Sequence, residues 1–314
     1  MTKIVSLDDV KATREQLGTP GHEIWRTFFL GPPAGTRDPQ AFLVEYAPGR
    51  VLQTHFHDAD EFQIVVSGSG RFGHHAIGPH AVHFARAYTP YGPIVAGADG
   101  LAFLTLRAER DSSGPQKLPE KREALLAVGD RQPWQASDYA SFEGSDGLAS
   151  ITPLRRLSDG HGLAAMATNV PAGVAMRLPD ARGSGGQYVV LLKGSVAIDS
   201  RKVSTPAVAF LAAGEQGLKV MGGAGGAQLL VLNFPQTLPV VESATRSAAS
   251  DDGERWRCGL CGFVYDEATG QPEAGVAPGT RWRDVPGNWH CSDCDAAKAE
   301  FFREGATEAS GRSA

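Results

Sequence analysis

Short apolar runs broken by glycine- and proline-bearing turns occupy most of the chain, as in AFLVEYAPG at 41–49, FQIVVSG at 62–68 and AFLTLR at 102–107. With 38 glycines and 20 prolines as punctuation, this texture predicts many short strands joined by turns, hence an all-β barrel or sandwich. The three runs have weaker echoes downstream, in the same order: AAMATNVPAG at 164–173, YVVLLKG at 188–194 and QLLVLN at 228–233. An ordered repeat of this kind predicts a duplicated barrel. From 236 the chain turns small and polar (QTLPVVESATRSAASDDG), which predicts a linker reaching on the order of 25 Å as a flexible coil.

Composition narrows the choices. About 260 of the 314 residues lie before the last cysteine-bearing stretch, enough for one large or two ordinary domains with proper cores. A formal net charge of −5, with no basic run, offers nucleic acid no footing. No segment approaches the roughly 18 consecutive apolar residues of a membrane span, and the opening MTKIVSLDDV lacks the apolar core of a signal peptide. The expected setting is the cytoplasm, where cysteines spaced as metal knuckles, with none spare, suit a reducing environment.

Those four cysteines form CGLC (Cys258, Cys261) and CSDC (Cys291, Cys294), 29 residues apart. Two C-x-x-C knuckles place four thiolates where they can close a tetrahedron around one metal ion. Around them stand Trp256, FVYDEATG at 263–270, PGTRWRDVP at 278–286, NWH at 288–290, Lys298 and Phe301. This framework resembles a rubredoxin over 254–303, which implies a one-iron electron carrier; zinc in the same four thiolates, as a structural ribbon, is the alternative. Ser292 stands where rubredoxins carry proline, and Asp295 replaces the glycine that follows the last cysteine. The second substitution touches backbone that tunes reduction potential.

The run GRVLQTHFHDADEFQIVVSG at 49–68 has the spacing G-x5-H-x-H-x3-E-x6-G. In a strand His55 and His57 share a face, and Glu61 on the partner strand can reach the same interior. The pattern resembles the first signature motif of the cupins. It implies a jelly-roll barrel with His55, His57 and Glu61 on a metal, the facial arrangement of non-haem iron oxygenases; a pair of surface histidines is the bland reading. Aligned on the second cupin motif, Tyr91 occupies the position of a fourth, histidine ligand. It is expected beside the metal as a hydrogen-bond donor or weak ligand. His74, His75, His80 or His83 could instead supply a fourth ligand, though each is read first as an ordinary polar or turn residue. By strand phase Gln53 and Gln63 share the inward face, where they are candidates to orient ligand or substrate, and Asp58 and Asp60 satisfy turn backbone. In the second copy the ligand positions fall near Pro179, Ala181, Gln187 and Gly217, which bind no metal well.

The expected organisation is therefore all-β. A metal-binding cupin barrel spans 1–110, a connector 111–150, a degenerate metal-free cupin barrel 151–235, the linker 236–253, the rubredoxin-like ribbon 254–303 and a disordered tail 304–314. The combination implies an iron-dependent oxygenase or oxidase acting on a small molecule with dioxygen. Electrons would come through the ribbon from a rubredoxin reductase or similar donor, and a homodimer is compatible with paired barrels. Two other classes stay open. One is a zinc, manganese or nickel cupin isomerase or lyase with a structural zinc ribbon; the other is a non-catalytic redox-sensing or ligand-binding bicupin.

Overall fold

A computed structural model of the chain describes residues 4–19, 23–31, 35–129, 131–142, 148–199, 201–236 and 254–304. All but Gln236 of the expected linker, and all but Glu304 of the expected tail, lie outside the described residues. Glu304 closes the ribbon, with its carboxylate 3.1 Å from Arg255 and also paired with Arg257.

Two large antiparallel sheets repeat one strand order. In the first, Ala81–Ala85, Glu61–Phe72, Ile94–Arg107, Gln40–Tyr46 and Ile24–Leu30 lie side by side. In the second, Ala207–Leu211, Gln187–Ile198, Lys219–Asn233, Ala164–Val170 and Ser150–Ser158 follow the same succession. The duplication read from the apolar runs is thus a duplication of topology.

Each sheet borrows its outermost strand from the stretch preceding the other barrel. Ile4–Ser6 pairs with Ala207–Leu211 of the second sheet, Val5 opposite Val208. Gln135–Tyr139 pairs with Ala81–Ala85 of the first, Ser137 opposite His83. The expected spans are therefore interlocked: Ile4–Ser6 belongs to the second barrel's sheet, and Gln135–Tyr139 of the connector to the first's. The connector supplies an edge strand, the short strand Gln116–Lys117 that pairs with His55–Phe56, and the helix Arg122–Leu126.

Strand alternation explains where the cores sit. In Glu61–Phe72, Phe62 and Ile64 face the second barrel, while Glu61, Gln63 and Val65 face their own interior. The equivalent strand alternates Tyr188 and Val190 with Gln187, Val189 and Leu191. Phe62, Ile64, Phe84 and Leu104 interdigitate with Tyr188, Val190, Leu230 and Phe234 in one cluster between the sheets; Phe62 and Phe234 meet edge-to-face at 5.0 Å. Each such buried side chain contributes about 1.5–3 kcal/mol. The second barrel's interior is filled by Val189, Leu191, Val196, Leu229 and Val231. The first holds a mixture of aromatic residues and polar ones.

The ribbon is a three-stranded sheet of Arg255–Cys258, Val264–Asp266 and Phe301–Arg303. Trp256 stacks on Trp282 at 5.1 Å, and the Tyr265 hydroxyl donates to the Thr280 carbonyl at 2.7 Å. It packs directly on the first barrel. Phe56 and Leu125 are buried in the same cluster as the four cysteines, with Tyr88 and Leu118 at its margin.

Candidate metal centres

The two knuckles bring the four sulfurs together as expected. All lie within 4.8 Å of one another and are buried, with Cys258–Cys294 at 3.7 Å and Cys261–Cys291 at 3.5 Å. A tetrahedron with metal–sulfur bonds of 2.3 Å has edges of about 3.8 Å, so the donor set fits a single iron or zinc ion. Burial pushes the Cys261 and Cys291 thiols up, whereas hydrogen bonding from its neighbours pulls Cys258 down. Four crowded thiols of this kind ionise together only when a cation is present. The backbone N–H groups of Leu260 and Phe263 donate to the sulfurs of Cys258 and Cys261 at 3.4 Å. At the second knuckle Asp295 takes φ 62°, the left-handed conformation its usual glycine would supply, and its N–H donates to the Cys291 carbonyl at 2.8 Å. Ser292 is buried and accepts from Gln271.

The barrel site converges from the strand His55–Phe56 and the residue after it, the first residue of Glu61–Phe72, and Tyr91, which bridges to His55. His55, His57, Glu61 and Tyr91 are all buried. The His55 Nδ1–H donates to the Gln53 carbonyl at 2.9 Å, and the His57 Nδ1–H to Asp111 Oδ2 at 2.7 Å. Those partners, a carbonyl and a carboxylate, accept only, so they select the tautomer that leaves each Nε2 with a bare lone pair. Arg107 donates to Glu61 Oε2 from Nε at 3.1 Å and from NH2 at 2.8 Å, and to Gln40 Oε1 at 2.7 Å. Glu61 Oε1 is left facing His57 Nε2 at 3.8 Å. The Tyr91 hydroxyl lies between, donating to Glu61 Oε1, 3.1 Å from His55 Nε2 and accepting from Gln63 Nε2 at 2.8 Å.

Electrostatics follow from this layout. Burial, then the neighbouring His57, pushes His55 down to about 3, so its imidazole is neutral at ordinary pH. Burial alone would raise Glu61; His57 and Arg107 outweigh it and keep the carboxyl ionised. Burial, reinforced by Glu61, pushes the Tyr91 phenol well above its usual value, which makes it a neutral donor. His55 Nε2, His57 Nε2 and Glu61 Oε1 therefore face one another around the Tyr91 hydroxyl. Two imidazole nitrogens and a carboxylate oxygen so placed have the donor chemistry for a divalent cation. In this side-chain arrangement they are more open than the cysteines, which among the described residues are the group with all ligand atoms within 4.8 Å.

One expected site residue sits elsewhere. Gln53 has an exposed side chain. The chain leaves strand conformation between Val51–Leu52 and His55–Phe56, so the two-residue phase does not carry back across the break, and only the Gln53 carbonyl serves the site. Asp58 and Asp60 satisfy backbone, but of distant segments rather than of their own turn, accepting from the N–H groups of Ser112 at 3.1 Å and Ala87 at 2.8 Å.

Sequence reasoning missed Arg107, Gln40 and Asp111, and ranked His83 low. Phe103, Thr105 and Arg107 share one strand face, so an arginine ending an otherwise apolar run was an available signal. Asp111 lies in a turn whose composition carried none. His83, read as an ordinary polar residue, is buried opposite Gln63 on the neighbouring strand, with its ring 5.2 Å from that of Tyr91.

Among the described residues the second barrel has no such set. Its Gln187, at the Glu61 position, donates to Asn233 Oδ1 at 2.9 Å and to the Pro179 carbonyl at 3.1 Å, and Ala181 is fully buried. A β-carbon at Gly217 would lie 1.9 Å from the Leu178 carbonyl oxygen, so no larger residue fits there.

Comparison with known proteins agrees with both halves. The rubredoxin family profile matches residues 255–301. Rubredoxin 4 of Rhodococcus sp. is 56% identical over 52 residues, which cover 17% of this chain and 87% of that protein. Rubredoxin-2 of Pseudomonas aeruginosa is 53% identical over 47 residues, covering 15% of this chain and 86% of that protein. Among solved structures, a mutant of Bacillus subtilis oxalate decarboxylase superposes with a TM-score of 0.50 at 14% identity, covering 74% of this chain and 77% of that one. At that identity the likeness extends to the fold alone.

Proposed function

Because the chain belongs to the rubredoxin family through residues 255–301 and carries two cupin barrels ahead of that module, we propose that it is a mononuclear non-haem iron oxidoreductase. It acts on a small molecule with dioxygen and draws electrons through its own rubredoxin module, which a separate reductase recharges. The observation that carries this reading is the position of Phe56. His55 and His57 turn into the barrel, and the residue between them, facing the opposite way by strand alternation, is buried in the cluster that holds the four cysteines. One two-residue strand thus borders both centres.

When bound, iron at His55, His57 and Glu61 supplies open coordination positions and redox chemistry, and iron at the four thiolates supplies one-electron exchange. The chain's own residues prepare the site. The Gln53 carbonyl and Asp111 orient the two imidazoles, Arg107 keeps Glu61 charged, and Tyr91 holds a proton beside Glu61. Phe42, Phe72 and Phe103 line the same interior and restrict water. Zinc, manganese or nickel at the barrel ligands would instead suit Lewis-acid chemistry.

The test is metal stoichiometry with paramagnetic resonance on anaerobically prepared protein, followed by oxygen uptake with a rubredoxin reductase and reduced nicotinamide. Two irons per chain are expected. His57→Ala should remove one, and Cys294→Ser the other together with reductase-dependent uptake. Simultaneous loss of both irons in either variant, or a colourless zinc-only protein, would overturn the proposal.

A further inference from the structure

A cavity of about 380 Å³ opens where the first barrel, the connector strand and the ribbon meet. Its barrel side is Phe72, His83 and Tyr91, its connector side Ser137, and its ribbon side Phe263 and Asp293. Tyr91 is the residue whose hydroxyl touches Glu61, His55 and Gln63. Phe263 follows the first cysteine knuckle by two positions, and Asp293 lies inside the second. A molecule in this space therefore touches the floor of the barrel site and the wall of the electron-carrying module together.

The second observation is an unmet hydrogen bond. His83 is 6% exposed. Its Nδ1 is satisfied by Ser137 Oγ at 2.8 Å, whereas Nε2 is buried with no partner among the described residues. A buried polar atom left unpaired costs about 1–3 kcal/mol, and a ligand that bonds it recovers that amount.

We propose that this cavity is the substrate site: it takes a compact, uncharged, mainly apolar molecule anchored by one hydrogen bond to His83 Nε2, and the ribbon forms one of its walls. The inference rests on the oxidoreductase reading for the word substrate, but not for the binding itself. The lining explains the absence of charge. Burial holds His83 neutral. Asp293 is already engaged by His75 at 3.1 Å and by Gln135 at 3.0 Å, and the cavity's remaining charge, Arg156, is exposed to solvent. An anionic ligand would be desolvated here beside the Asp293 carboxylate, and a cationic one would have to displace the His75 and Gln135 bonds that already satisfy it. Phe72, Tyr91 and Phe263 present ring surface to an apolar one. A wall built from the ribbon also means that docking of the module completes the site.

The test uses three shape-matched probes, indole, benzofuran and indene, which offer a donor, an acceptor and neither. Dissociation constants are measured by saturation-transfer resonance on the full-length protein loaded with zinc, so that no turnover is needed. Wild type should bind indole or benzofuran about tenfold more tightly than indene, the worth of one good hydrogen bond. His83→Leu should bind all three alike, with indene still bound as the sign that the cavity is formed. Phe263→Ala should weaken all three severalfold while the ribbon keeps its metal. No binding of any probe, undiminished preference in His83→Leu, or unchanged affinities in Phe263→Ala would each overturn the assignment. Probe binding without any iron-dependent oxygen uptake would sink the oxidoreductase reading and leave the cavity standing; uptake without probe binding would do the reverse.

Discussion

Gly262, one residue past the first cysteine knuckle, lies so close to Pro133 that a β-carbon on it would stand 2.2 Å from the Pro133 carbonyl oxygen, and its φ is +82°. Arg131 reinforces the same contact, donating to the carbonyls of Leu260, at 2.8 Å, and Gly259, at 2.5 Å. The ribbon is thus seated on the connector through backbone that only glycine permits.

Gly262→Ala should therefore undock the ribbon. The left-handed conformation alone costs about 1–2 kcal/mol with a β-carbon, and the clash adds to it. Hydrogen exchange at Trp134 and Leu260 should rise while four-thiolate absorption persists. Unchanged exchange would mean that the contact is dispensable.

Arg131 sets a cation against the first knuckle. A positive charge there favours the more negative, reduced state of a four-thiolate iron. Arg131→Gln should lower its reduction potential by roughly 40 mV, from about 1 kcal/mol of lost Coulomb interaction at a partly exposed site. Potentiometric titration of wild type and variant reads the shift directly, and a rise would contradict the sign.

Asp111 holds the tautomer of His57. Asp111→Asn should reduce the barrel's metal affinity about 10–100-fold, the usual effect of losing such a partner, with the ribbon's metal content unaltered. Competition against a chelator of known affinity separates the two sites.

Acid should destabilise the fold through His83. Burial depresses its pKa from 6.5 to about 4, so as pH falls below 6.5 the unfolded chain takes up a proton that the folded chain refuses. Stability present above pH 6.5 is lost progressively down to about pH 4, by ~3 kcal/mol for this group. Urea midpoints measured from pH 7 to 4 should show the decline, and His83→Gln should make it shallower over that window, the remaining slope coming from His55, whose pKa burial holds at about 3.

The exchanged edge strands should make the two barrels unfold as one. Val5 is 3% exposed and sits in the core between the sheets. Val5→Asp buries an unpaired charge there and should cost about 3 kcal/mol or more. A single urea transition at lower midpoint is expected; a separate early transition of the second barrel would show that the interlock is weak.

Much of this was legible in the chain. Four cysteines in two knuckles, within an aromatic and Pro-Gly-Thr framework, specify a ribbon because the ligand spacing is local to each knuckle. His55, His57 and Glu61 were equally readable, since a strand and its adjoining turn set their offsets within seven positions. The apolar repeats carried the duplication for the same reason: a strand's alternating faces are written in consecutive residues.

What local order could not specify was which distant residues complete each site. Arg107 reaches Glu61 across 46 positions and Asp111 reaches His57 across 54, and no periodicity links residues that far apart. Gln53 shows the opposite failure, a sound local phase broken by a bend. The exchange of edge strands, the seating of Gly262 on Pro133 and the burial of Phe56 among the cysteines are matters of tertiary closure. The sequence alone determined which residues could hold a metal and the fold of each module; only the folded chain decided that one strand borders both candidate centres and that Tyr91 and the ribbon line one cavity. The physical reason is that ligand spacing is short-range, whereas the surfaces that bring modules together are assembled from residues far apart in the chain.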